Sequence, residues 1–177
     1  LTEILQRIPW GVLDEEAKSL LFFGRGTALW KNKDQTDLRP IGCLHPLLSI
    51  VGNIVNGKAE EMIESIVGIK QLGGRVHGSA EIAPHLLRAI LQQQPDWVVL
   101  HRDAINAWGK VHKWAMLAAT ALSMGGSAFQ SYAQWELSGA APRLAFDDPS
   151  TDTTQVVEVV EGCVQGGNIS GSAFNIA

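Results

Sequence analysis

The clearest pattern along the chain is a helical spacing of apolar residues between Leu47 and Ile66. Apolar side chains recur there at intervals of three and four, and charged residues occupy the positions between them. This spacing places one apolar stripe on a helix, so the sequence predicts a long amphipathic helix that ends near Gly68. A second helix is predicted from Ser79. Its expected buried stripe consists of Ile82, Leu86, Leu87 and Ile90.

Short β-compatible runs on either side of turn residues predict two hairpins. Residues 26–30 and 38–44 flank a polar turn, which indicates the first hairpin. Residues 143–146 and 155–160 flank the series Asp147-Asp148-Pro149-Ser150, whose residue types favour a turn. We therefore expect two antiparallel strand pairs.

The apolar run at residues 97–100 predicts a different kind of strand. Its sequence is Trp-Val-Val-Leu, bounded by Pro95-Asp96 before it and by charged residues after it, which is typical of a buried central strand. Another helix is predicted over residues 111–122, and two short helices are predicted within residues 1–23. Since no repeat or low-complexity linker is found, the sequence indicates a single mixed α/β (α+β) unit, with helices packed on a small, mostly antiparallel sheet.

Composition limits the classes of function. The chain has 177 residues, of which 46% are hydrophobic and 18% charged, so it can bury a core and is not expected to be disordered. A net charge of -4 argues against a protein that mainly grips nucleic acid through a basic surface. The acidic excess lies in residues 140–177, however, and Arg25, Lys31, Lys33 and Arg39 form a local basic strip.

Other composition signals are weak. The two cysteines have no CxxC spacing, which gives little support to a disulfide framework or a zinc site and favours a reducing compartment. No apolar run reaches the roughly 18 to 20 residues that a membrane span requires.

Asp103 is the candidate for metal-dependent chemistry. A carboxylate mounted at the end of a strand suits a divalent cation that holds phosphates, and Trp108 follows five residues later as a large aromatic beside it. The segment from Asp103 to Val111 resembles motif A of non-LTR reverse transcriptases, Asp-x-x-Asn-Ala-Phe-Asn-x-Val. This resemblance implies that Asp103 is the catalytic magnesium ligand and that Trp108 excludes the ribose 2′-hydroxyl. The alternatives are that Asp103 is an ordinary strand-end or helix-capping residue and that Trp108 is an aromatic residue of the core.

Two further blocks are similar to the same family and follow its order. Lys31-x-Lys33 followed by Arg39-Pro40-Ile41 resembles the fingers motif, which implies that Lys31 and Arg39 contact the triphosphate; phosphoryl transfer depends on such charge neutralisation. Residues 161–168 resemble motif B, Gly-x-x-Gln-Gly-Asp-Pro. Gln165 and Gly166 match it and would lie near the nucleotide and the template base, whereas Gly167-Asn168 replaces Asp-Pro. The alternatives are that Lys31 and Arg39 are solvated charges of a hairpin and that Gln165 and Gly166 belong to a simple glycine-rich turn.

The resemblance implies a fragment of a right-hand polymerase. Residues 1–96 would form a fingers-like region and residues 97–177 a partial palm, in one continuous unit. The parent activity would be RNA-directed DNA synthesis by two-metal nucleotidyl transfer. It would use magnesium, an RNA template, a DNA primer and deoxynucleoside triphosphates, in the nucleus or the cytoplasm.

The family's motif C, an aromatic-x-Asp-Asp hairpin, does not follow motif B in these residues. Because two-metal catalysis needs more than one carboxylate, the chain alone is expected to be inactive. Phe146-Asp147-Asp148 imitates motif C, but it precedes motif B and is predicted to be an ordinary hairpin turn. The alternative function is a domesticated or degenerate reverse-transcriptase fold that serves as a non-catalytic structural or interaction subunit of a larger complex.

Overall fold

The computed structural model describes residues 7–8, 13–34, 36–68, 71–72, 78–104 and 106–177. The helices and strands of these residues are, in chain order, α1 (Glu15–Leu21), β1 (Phe23–Trp30), β2 (Leu38–Cys43), α2 (Pro46–Val67), α3 (Ser79–Gln93), α4 (Ala107–Lys110), α5 (Lys113–Met124), α6 (Ala128–Leu137), β3 (Arg143–Asp148), β4 (Thr153–Glu158) and α7 (Ser170–Ile176). The first of the two short helices predicted within residues 1–23 lies mostly outside the described residues.

The four strands form one sheet in the order β2-β1-β3-β4. The outer pairs are antiparallel and are the two predicted hairpins, whereas β1 and β3 pair in parallel through residues 23–25 and 143–145. The α+β class and the mostly antiparallel sheet are therefore confirmed. The second hairpin turns two residues later than predicted, because Asp147 and Asp148 still pair with Thr154 and Thr153.

The principal core lies between α2 and α6. The predicted apolar stripe of α2 is confirmed at Leu48, Val51, Val55, Ala59 and Ile63, which are buried, whereas its members Ile54 and Met62 are exposed. Against this stripe pack Phe129, Tyr132, Ala133 and Trp135 of α6, together with Phe22 and Ile169. Burial of one such aliphatic or aromatic side chain contributes about 1.5–3 kcal/mol relative to its exposed state, so this contact is the main source of stability.

Two glycines let side chains lie directly on the sheet. Gly26 and Gly42 face each other across β1 and β2. A Cβ atom at Gly26 would lie 2.3 Å from the ring of Phe146, and one at Gly42 would lie 2.5 Å from Cγ1 of Val164. Leu144 occupies the same face and would be 2.9 Å from that second Cβ. The absence of side chains at both glycines thus makes room for a close-packed cover over β1 and β2.

Two expectations about burial are wrong. Helix α3 forms as predicted, but none of its residues is buried, and Ile82, Leu86, Leu87 and Ile90 are exposed. Residues 97–100 are not a strand, and Val98 is 93% exposed. A central strand needs neighbours on both sides, and the sheet formed by the described residues offers residues 97–100 no partner. Asp103 consequently does not follow a strand end.

Among the described residues, no helix combines the length and the apolar character that crossing a bilayer demands.

Replacement of Gly42 tests the close packing over the sheet. We expect Gly42→Ala to lower the free energy of unfolding by about 1–3 kcal/mol, because the new methyl group overlaps Val164 and Leu144. The matched control is Gly57→Ala on the exposed side of α2, where a Cβ meets nothing within 4 Å. The free energy of unfolding of that variant should rise by about 0.5–1 kcal/mol, because alanine has a higher helix propensity than glycine. Urea unfolding of both variants measures the difference, and equal effects would contradict the packing described.

Candidate functional site

The Gln165-Gly166 turn is bound to the edge of the first hairpin. Strand β2 lies at the border of the sheet, and the backbone N–H of Gly42 donates to the carbonyl oxygen of Gln165 at 2.8 Å. Gly166 has a φ of +106°, and a Cβ there would lie 2.5 Å from the carbonyl oxygen of Gly42. Only glycine combines this backbone conformation with this approach. The segment that resembles motif B therefore contacts the strand that carries Arg39-Pro40-Ile41.

Trp108 joins the same turn from the other side. Its carbonyl oxygen accepts a hydrogen bond from the N–H of Cys163 at 2.9 Å, and its ring stacks on Phe174 of α7 with centroids 4.8 Å apart. Gly162 has a φ of +71°, and a Cβ there would lie 2.4 Å from the Trp108 oxygen. Trp108 also packs against a small core formed by Met116, Leu137, Cys163 and Ala173. Its side chain is thus a packing element, and the role in sugar selection stays a prediction.

Asn168, at the end of the turn, contacts α2. A Cβ at Gly52 would lie 2.6 Å from the Cβ of Asn168, so the two backbones approach closely. The side-chain amide of Asn56 donates to the carbonyl oxygen of Asn168. Residues 162–168 are therefore held by three elements: β2, α4 and α2.

The charged candidates lie outside this junction. Asp103 is exposed in an irregular segment. Lys31 pairs with Asp37 at 2.9 Å near the hairpin tip. Arg39 is exposed on β2, opposite Leu29, about 10 Å along the strand from Gly42 at a rise of about 3.3 Å per residue. The structure thus brings together Trp108, Gln165 and Gly166, and it leaves Asp103, Lys31 and Arg39 at the surface.

The distribution of metal-ligating side chains bears on the predicted magnesium site. No group of three or more His, Cys, Asp or Glu side chains in this part of the chain is arranged to hold a metal ion. Asp103 is the single carboxylate that the family resemblance assigns to the metal, and a two-metal centre needs others.

Buried ionisable side chains lie beneath the turn. Glu136 of α6 is almost completely buried, and burial raises its pKa to about 7, against the opposing effects of a hydrogen bond from Tyr132 and the charge of Lys18. Burial likewise raises the pKa of Cys163 to about 11 and lowers the pKa of Lys113. Lys113 donates to the carbonyl oxygen of Val159 at 3.0 Å. The surroundings of Cys163 therefore contain groups that are costly to charge.

Several residues of this junction were missed from the sequence. Phe174 stacks on Trp108, and Asn56 donates to the carbonyl oxygen of Asn168; no local pattern points to either contact. Glu136 lies in a stretch of alternating polar and apolar residues for which no element was predicted. Glycine was the usable signal, since Gly162 and Gly166 frame the turn and both adopt positive φ.

No protein-family model, no curated protein and no solved structure matches this chain. The resemblance to reverse transcriptases accordingly rests on the motif residues themselves.

The buried carboxyl of Glu136 predicts a pH-dependent stability. Its folded pKa of about 7 exceeds the ordinary value of 4.5, so its stabilising contribution is complete below pH 4.5 and is lost as the pH rises through 7. We expect the free energy of unfolding to fall by about 2 kcal/mol between about pH 5 and about pH 8 because of this group. Glu136→Gln, which stays neutral, should remove that slope in urea unfolding.

The matched control is Glu61→Gln, which alters an exposed carboxylate on α2. This variant should retain the slope of the unaltered protein. A slope that persists in Glu136→Gln would mean that another group causes it.

Proposed function

We propose that this chain is a fingers-and-palm unit of the reverse-transcriptase type that contributes template and nucleotide contacts to RNA-directed DNA synthesis. One observation carries the proposal. Three blocks that resemble family motifs lie far apart in the sequence, yet they contact one another through the Gly42–Gln165 and Trp108–Cys163 hydrogen bonds. Motif resemblance alone does not require this convergence, so the contact is an independent argument for it.

Each block has a chemical task in this proposal. Arg39 and Lys31 supply positive charge to a triphosphate, where transfer depends on positioning and neutralisation. Gln165 and Gly166 would lie near the nucleotide and the template base, and Gly166 is exposed on the turn. Asp103 provides one magnesium ligand. Since the described residues provide no complete metal site, activity requires carboxylates in addition to these, and the chain alone is inactive.

A second candidate is a non-catalytic interaction subunit with the same ancestry. The observation in its favour is the exposed apolar surface of α3 and residues 97–100, where Ile82, Leu86, Val98 and Leu100 face solvent. Contiguous exposed apolar surface marks contacts with other protein segments. This surface suits a unit that is buried within a larger assembly.

Primer extension separates the two candidates. The natural gene product that contains this chain should extend a DNA primer on an RNA template, and Asp103→Asn should reduce the rate on the order of 100-fold or more, because a metal ligand is lost. Asp96→Asn is the matched control, since Asp96 is an exposed carboxylate in the same segment. It should leave the rate unchanged.

Two results would contradict the enzymatic proposal. Equal rates for Asp103→Asn and the unaltered protein would remove Asp103 from the mechanism. A folded gene product that extends no primer, but copurifies in fixed stoichiometry with other proteins, would favour the interaction subunit.

A further inference from the structure

The two edges of the sheet differ in their protection against pairing with a further strand. At β2, Pro40 has no N–H group to donate, and the N–H of Gly42 is already bound to Gln165. Proline and bound backbone groups both oppose the addition of a strand. Strand β4 contains no proline, lysine or glycine, and all of its residues are exposed. Because no strand of the described residues lies beyond β4 in the sheet, its outer edge is open.

The hydrogen bonds of the sheet identify the backbone groups on this outer edge. The N–H of Arg143 donates to the carbonyl oxygen of Phe22 at 2.9 Å, on the β1 side. Backbone groups alternate in direction along a strand, so Leu144 faces β4, and its partner Val157 faces β3 in return. The residues of β4 whose N–H and C=O groups face outward are therefore Thr154, Val156 and Glu158. We call this surface the β4 edge.

The β4 edge requires an extended strand as its occupant. Its outward N–H and C=O groups recur at every second residue, a repeat that another strand matches. The neighbouring side chains are apolar on both faces of the sheet, since Val156 is 55% and Val157 48% exposed. The partner strand should therefore be apolar at its centre and should place no negative charge opposite Glu158.

A second copy of β4, running antiparallel, meets both requirements. The middle of β4 lies between Gln155 and Val156, so a two-fold axis at either residue gives a long overlap. An axis at Gln155 would place Glu158 opposite Asp152 of the second copy, and like charges directly opposite each other are destabilising. An axis at Val156 instead pairs Val156 with itself and Glu158 with the neutral Thr154. Charge complementarity thus selects the second arrangement, in which every outward N–H faces a carbonyl oxygen.

We propose that two copies of this chain associate through the β4 edge, antiparallel and with Val156 on the two-fold axis. The two four-stranded sheets then form one continuous sheet. A standard interface buries roughly 800 Å² per partner, and one short strand edge buries less. The dimer is therefore expected to form with a dissociation constant on the order of 10–100 μM. This association goes beyond the proposed function, and primer extension does not depend on it.

Analytical ultracentrifugation of the full chain, over roughly 1–500 μM to bracket the expected dissociation constant, tests the inference. Val156→Lys places two like charges on the axis and should weaken association at least about 10-fold. Val156→Thr is the matched control, because threonine is neutral and keeps the strand propensity of valine. It should change the dissociation constant by less than about 3-fold.

The register has a test of its own. Thr154→Lys places a cation opposite Glu158 of the second copy, twice in each dimer, and should tighten association by about 2- to 30-fold. Thr27→Lys is the matched control: Thr27 is exposed on β1, two strands from β4, so the net charge changes equally without a new pair. It should leave the dissociation constant unchanged. Unfolding of a variant cannot produce the gain in affinity expected for Thr154→Lys.

A chain that stays monomeric over the whole concentration range would overturn the inference. A dimer that neither Val156→Lys nor Thr154→Lys affects would overturn it as well. If Leu86→Glu, on the exposed apolar surface of α3, dissociated such a dimer, the interface would be α3 rather than the β4 edge. Circular dichroism of each variant checks that the fold is retained.

Discussion

The close approach of three segments at Gly42 is the constraint on which the rest of the structure depends. Because Gly42 has no side chain, Val164 and Leu144 fill the space above it, and its N–H reaches the carbonyl of Gln165. That hydrogen bond satisfies a donor at the edge of the sheet and blunts an edge that would otherwise be free to pair. It also positions residues 162–168, to which α4 is then attached through Trp108.

The same junction holds a turn, residues 162–168, that contains three glycines. Gly162 and Gly166 have positive φ. Glycine loses more conformational entropy on folding than any other residue, so ordering these two positions requires compensating contacts. Trp108, Asn56 and the edge of β2 hold the segment from three sides. The buried Glu136 and the half-buried Lys113 resist charging, which makes this layer sensitive to pH. A turn that is fixed in this way can offer backbone to a ligand at little further loss of conformational entropy.

Sequence patterns correctly predicted the elements that are marked by residues close together in the chain. The apolar stripe of α2 repeats over several turns, and both hairpins are marked by turn residues, so the predictions of these three elements were correct. Helix α6 was missed because its buried side includes the polar Glu136, which interrupts the apolar spacing that marks an amphipathic helix. The strand prediction for residues 97–100 was wrong because a strand pattern does not reveal whether a neighbouring strand exists. The stack of Trp108 on Phe174 depends on tertiary structure alone. For the site, the glycine positions indicated where segments approach closely, and the roles of the charged residues stay predictions.

Amide hydrogen exchange at Gly42, measured by NMR on the intact chain, tests the central claim most directly. The N–H groups of Gly42 and Leu38 point to the same free edge of β2 by strand alternation, and of the two only the Gly42 N–H has a partner within the described part of the chain, the carbonyl oxygen of Gln165. We predict that the Gly42 amide exchanges more slowly than the Leu38 amide on the order of 100-fold, since it opens only when the turn detaches. Equal exchange rates at the two positions would contradict the junction and, with it, the argument that the motif blocks converge.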